Sequence, residues 1–215
     1  MIFKGTENFL SSQCSLIVNG FLSGIHNDLF FDPDIALITL PEPFLLSKCI
    51  QPICLPKDSF DINSKDVEKF TITGLGITDT GNHPDEILYA NVDKLNSDKC
   101  FEDWECTQDF PSNWKDQKKQ GFCSKGKNGE VTLPGDSGGP TVWKDKSGRA
   151  YIIGVLSKST TYEYLCNIPA NQQHRAASIT STVSKEISKW IEKNSGKEVD
   201  DCQSVADLIS YFENL

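Results

Sequence analysis

Short apolar runs separated by turn-forming residues make up most of the chain. Ile35-Ala36-Leu37-Ile38, Phe70-Thr71-Ile72-Thr73 and Tyr151-Ile152-Ile153-Gly154-Val155-Leu156 are strand-length and rich in β-branched and aromatic side chains. Asp32-Pro33, Pro41-Glu42-Pro43, Pro56, Thr80-Gly81-Asn82 and Ser147-Gly148 interrupt them. Branched side chains suit a pleated surface, while Gly, Pro, Asn and Asp supply the dihedrals that turns need. The pattern predicts an all-β barrel or sandwich. Residues 107–121 are polar and Lys-rich around Trp114, and read as a long surface loop.

Helical period is confined to the end of the chain. Val183, Ile187, Trp190 and Ile191 fall at i, i+4, i+7 and i+8, one apolar stripe on a helix ending near Gly196. A second stripe, Val205, Leu208, Ile209 and Phe212, follows the acidic stretch from Glu198 to Asp201. Both stripes are expected to pack on the barrel. No internal repeat and no low-complexity tract is present.

Composition narrows the setting. The 215 residues are 38% hydrophobic and 10% aromatic, the range of a globular protein. With 21 Lys and Arg against 30 Asp and Glu, the net charge is −9. That charge gives no attraction to nucleic acid or to an anionic membrane surface. No apolar run approaches the ~20 residues a bilayer requires. A monomer is expected.

The eight cysteines are Cys14, Cys49, Cys54, Cys100, Cys106, Cys123, Cys166 and Cys202. None forms a Cys-x-x-Cys pair and no His stands near them at zinc-ligand spacing, so neither a metal nor a cofactor is expected. An even, scattered set favours disulfides made in an oxidising, extracellular compartment. Met1-Ile2-Phe3-Lys4-Gly5-Thr6-Glu7 lacks a basic segment followed by an apolar core, so a secretory leader is expected upstream of this stretch.

The sharpest chemical signal is Gly135-Asp136-Ser137-Gly138-Gly139-Pro140. Glycines around a serine allow a tight turn, and they let backbone N–H groups converge on an approaching carbonyl. Acyl transfer needs such paired donors, because negative charge grows on the carbonyl oxygen as the hydroxyl attacks. The string resembles the nucleophile motif of the trypsin-like, chymotrypsin-fold serine proteases. Three further segments are similar to that family in the same order. Asp34-Ile35-Ala36-Leu37-Ile38 resembles the strand with the triad aspartate. Ile50-Gln51-Pro52-Ile53-Cys54-Leu55-Pro56 resembles the link between its two barrels. Thr73-Gly74-Leu75-Gly76 resembles the turn opening the second barrel, with Leu75 where Trp is usual. The family's Asp and Ser stand about 93 residues apart; Asp34 and Ser137 are 103 apart, a difference the 107–121 loop absorbs.

The resemblance implies an all-β, chymotrypsin-like double β-barrel with an incomplete N-terminal barrel and a C-terminal helix. Residues 1–196 would be the protease domain: 1–56 a remnant of the first barrel, 57–182 mainly the second, 183–196 the helix. Residues 197–215 would form an acidic amphipathic tail. Ser137 would be the nucleophile, Asp34 would orient the base, and the N–H groups of Gly135 and Ser137 would form the oxyanion hole. Val131 would stand at the base of the specificity pocket, and Ser157 would begin the strand that pairs with substrate backbone. An apolar Val131 disfavours cleavage after Lys or Arg. Leu133 replaces an expected Cys. Cys100 with Cys123 resembles one family disulfide, and Cys166, without its usual partner, would take Cys106.

The chain also departs from the family. The base should precede the Asp by roughly 45 residues, yet 33 residues precede Asp34 and no Ala-Ala-His-Cys string occurs. His26 lies eight residues before Asp34, His83 follows a turn, and His174 lies in a polar loop; none is expected to be the base. In the family, the carboxylate beside the nucleophile, here Asp136, pairs with an α-ammonium made by activation cleavage. No Ile-Val-Gly-Gly-like start supplies it here, so the oxyanion hole is expected to set poorly. The expected function is a serine endopeptidase domain acting on polypeptide substrates, inert as this chain for want of the base. The alternative is a non-catalytic protease homologue that binds or regulates a protein partner.

Overall fold

The computed structural model describes residues 21–26, 34–40, 50, 52–56, 60–96, 100, 121–159 and 177–195. Phe21–His26 (β1) and Ile35–Thr39 (β2) pair antiparallel as a two-stranded sheet. Six further strands follow: Lys69–Gly74 (β3), Leu88–Lys94 (β4), Gly121–Gly126 (β5), Pro140–Lys144 (β6), Ala150–Ser159 (β7) and Ser178–Thr182 (β8). They close into a barrel in the order β3-β4-β5-β8-β7-β6. The seam is the antiparallel contact of β6 with β3, Thr71 opposite Val142 and Ile72 opposite Thr141. Closure pairs the backbone groups that an open edge would leave to a neighbouring chain. The all-β reading holds, and the three apolar runs picked out by pattern fall on β2, β3 and β7.

The barrel interior is filled by alternate side chains. On β3, Phe70 and Ile72 point inward while their neighbours do not. They meet Val67, Val92, Phe122, Ile153 and Leu156 in one buried cluster, with the Phe70 and Phe122 rings 5.0 Å apart. Polar side chains are also buried. Thr141 and Thr180 share a hydrogen bond of 3.1 Å across the barrel, so these two hydroxyls are satisfied inside it. Outside the cluster, Lys94 donates from Nζ to Ile62 O and Asn63 Oδ1. Burial lowers the pKa of its ammonium, and the nearby Asp61 and Glu68 oppose that shift.

The Cys100–Cys123 disulfide forms as the resemblance implied, tying the segment before β5 to β5 itself. Cys54 is disulfide-bonded as well. Its carbonyl accepts from Ile152 N at 2.9 Å, so the 52–56 link lies along β7. The pairing of Cys166 with Cys106, the 107–120 loop and the 197–215 tail fall outside the described residues.

The C-terminal helix, α1, spans Lys185–Ser195. Val183, counted in the helical stripe by spacing, lies just before it. Ser184 stops the helix from starting earlier: its Oγ accepts from Ile187 N at 3.4 Å and its carbonyl from Ser188 N, the geometry of an N-cap. Val183 and Ile187 nevertheless share a buried cluster with Ile35, flanked by Leu55, Val155, Trp190 and Ile191. That cluster docks β2 against the barrel and the helix.

Candidate active site

The 135–139 turn contains two left-handed glycines, Gly135 at φ +98° and Gly138 at φ +83°. A side chain at either would be strained there, which is why a Gly-x-x-Gly frame surrounds Ser137. Asp136 N donates to Leu133 O and Gly139 N to Asp136 O, so two turns follow one another. Gly138 N to Leu156 O and Leu156 N to Gly139 O, both 2.7 Å, then fasten the turn to β7.

Asp136 locks the turn from the other side. Its Oδ1 accepts from Gly76 N at 2.7 Å and its Oδ2 from Leu133 N at 2.9 Å. A Cβ at Gly74 would run into the Asp136 carboxylate, and one at Gly76 would lie 2.6 Å from Oδ1. The glycines of Thr73-Gly74-Leu75-Gly76 are therefore the space in which the carboxylate sits. Ile77 N donates to Pro134 O at 2.9 Å and completes the stitching of the two segments. The expected want of a partner for Asp136 meets two backbone donors in its place.

Ser137 is exposed, and its Oγ donates to the carbonyl of Ser157 at 3.4 Å. Ser157 Oγ in turn donates to Asp34 Oδ2 at 3.0 Å, and Asp34 N reaches Ser181 Oγ at 3.2 Å. The fold thus brings Asp34, Ser137 and Ser157 together from three separate strands or turns. Among the described residues, neither Gly135 N–H nor Ser137 N–H meets an acceptor. Ser137 Oγ is held by a backbone carbonyl of β7.

Val131 is half-buried six residues before Ser137. Beside it, Thr132 is buried and sends both its N–H (2.7 Å) and its Oγ1 (3.1 Å) to Ser178 Oγ on β8. Sequence reasoning missed this hydroxyl pair, because 46 residues separate its members and neither carries a motif.

The histidines fall in different places. The backbone of His26 pairs with Ile35 at the end of β1, next to Asp34 in register. His83 places Nδ1 3.1 Å from Leu75 O, and its Cε1 lies 3.7 Å from where a Cβ of Gly135 would stand. His83 was read only as a turn residue, and nothing in the local sequence shows its approach to Gly135. His174 lies outside the described residues. Among the described residues no group of three His, Cys, Asp or Glu side chains is placed to hold a metal ion, and no helix is long and apolar enough to cross a membrane.

The chain is 28% identical over 137 residues to mannan-binding lectin serine protease 1 of Mus musculus, covering 63% of this chain and 18% of that protein. It is 32% identical over 143 residues to Limulus clotting factor C of Carcinoscorpius rotundicauda, covering 62% and 14%. It is 30% identical over 130 residues to complement C1s subcomponent of Sus scrofa, covering 59% and 19%. The matched region is thus less than a fifth of each of these relatives. The family model described as Trypsin matches residues 18–185, most of the chain, so the protein belongs to the trypsin family of serine proteases.

Proposed function

We propose that this chain carries the nucleophile-bearing part of a serine endopeptidase, and that as a 215-residue polypeptide it is inert toward peptide bonds. The observation that carries the reading is the convergence of Asp34 and Ser137 on Ser157, beside two N–H groups with no acceptor among the described residues. Ser137 would attack a substrate carbonyl, Gly135 N–H and Ser137 N–H would stabilise the oxyanion, and Asp34 would orient an imidazole between itself and Ser137. None of the three histidines in the sequence is proposed for that role. Val131 at the pocket base favours an apolar substrate residue over Lys or Arg. The Cys100–Cys123 bridge supports work in an oxidising, extracellular setting.

A second reading, a non-catalytic homologue that binds a protein partner, is favoured by the departures at Val131 and Leu133. A fluorophosphonate probe separates the two. The chain and its Ser137→Ala variant are expected to label equally slowly in plain buffer. With imidazole added at high concentration, labelling that needs both Ser137 and Asp34 supports the endopeptidase reading. Absence of Ser137-dependent labelling with imidazole overturns it in favour of the binding module. Fast Ser137-dependent labelling without imidazole would show that a residue of this chain already acts as base.

A further inference from the structure

The Leu75–Gly76 peptide unit is held at both ends. Its carbonyl oxygen faces His83 Nδ1 at 3.1 Å, and its N–H donates to Asp136 Oδ1 at 2.7 Å. Asp136 immediately precedes Ser137 and holds Leu133 N with its other oxygen. A chain of hydrogen bonds therefore runs from a surface imidazole, through one peptide unit, into the carboxylate that sets the Ser137 turn. The ring also flanks that turn: its Cε1 lies 3.7 Å from where a Cβ of Gly135 would stand. The 78–82 turn, closed by Thr78 N to Asn82 O and Gly81 N to Thr78 O, delivers His83 to this position.

We propose that His83 is a positioning residue for the Ser137 turn, acting through the Leu75–Gly76 peptide and Asp136. A peptide that accepts a hydrogen bond at its oxygen donates more strongly at its nitrogen, so a donor at Nδ1 tightens Gly76 N–H on Asp136. Imidazolium always offers an Nδ1–H. Neutral imidazole offers it in one tautomer and in the other turns a lone pair toward the Leu75 oxygen. Loss of the proton therefore loosens the turn. In the 133–136 segment the charged residue is Asp136, whose carboxylate is held by Gly76 N and Leu133 N. The loop of His83 itself contributes Asp79, Asp85 and Glu86. The proposal rests on reading Ser137 as the nucleophile.

The test follows backbone amides of the ¹⁵N-labelled full chain, together with the His83 Cε1–H signal, by NMR as pH is varied. In the wild type, the Gly76 and Ser137 amide resonances are expected to shift in one step, with the midpoint of the His83 Cε1–H signal. His83→Ala is expected to lose that step. His83→Asn, whose side-chain amide can donate where Nδ1 does, is expected to hold Gly76 at its low-pH position at every pH. An exposed ring can be exchanged without unfolding the barrel, and intact β3 and β6 resonances would check this. Gly76 and Ser137 amides that stay still while His83 titrates, or that still step in His83→Ala, would overturn the proposal. Ser137 reactivity does not enter this readout, so it and the fluorophosphonate result fail independently.

Discussion

In the six-stranded barrel every strand hydrogen-bonds to two neighbours, whereas among the described residues β1 and β2 pair only with each other. Ser137 belongs to the first region and Asp34 to the second. The Ser137 turn is fixed by covalent continuity with β6 and by bonds to β7 and to Gly76, just past β3. Asp34 is held differently, by Ser157 and Ser181 from the barrel and by Ile35 packed under Val183 and Ile187. One half of the site is thus built by closure and the other by docking. The two are expected to fail in different ways.

Breaking the closed half should have the largest effect. Phe122→Ala empties the centre of the barrel cluster, where Phe122 is 1% exposed, and should cost about 3–5 kcal/mol. Chemical denaturation measures it, and loss of β1–β2 in the same transition is expected, because their docking surface unfolds with the barrel. A transition in which β1–β2 survives would show that the sheet stands by itself.

Ile35→Ala tests the docked half. The lost burial should cost about 2–5 kcal/mol locally. Hydrogen exchange should quicken across β2 while the amides of β3, β6 and β7 keep their protection. Equal quickening in the barrel would erase the distinction between the two regions.

The smallest effect is expected at the helix that joins them. Ser184→Ala removes the cap of α1 and should cost about 1 kcal/mol. The Ser184 hydroxyl, 2.8 Å from Glu186 Oε2, also holds that carboxyl below its usual range. A depressed folded-state value means that this contribution is present above the ordinary Glu range and is lost as pH falls through the folded value. Thermal melts from neutral to acidic pH should show a shallower decline in Ser184→Ala than in wild type. An unchanged slope would remove Ser184 as the cause.

How much of this was legible in the sequence depends on the range of the interaction. Strand runs were readable because alternation is local, as in Phe70 and Ile72. The turn around Ser137 was readable because its glycines are needed for backbone reasons that hold anywhere. The helix was readable apart from its first two residues, where the Ser184 cap overrode the apolar count at Val183. The resemblance pointed to Gly74 and Gly76, but only the fold shows that they make room for Asp136. Thr132 with Ser178, and His83 with Leu75, were not readable. The first depends on where two segments 46 residues apart come to rest and the second on how one loop folds back on itself, and polar residues in loops carry no periodic signature of either.

The seam of the barrel has a consequence for the order of assembly. β6 meets β3 across some seventy residues of intervening chain, Ile72 opposite Thr141, and contacts of such long range are slow to form because the loop must be closed before they stabilise anything. The Ser137 turn sits just before β6, and its carboxylate neighbour is bound just past the end of β3. The Ser137 turn therefore cannot be fully set before the barrel shuts. A chain stalled short of that event would present two unpaired strand edges together with an unformed site, so the moment that completes the site is also the one that removes the hazard of strand exchange with a second copy.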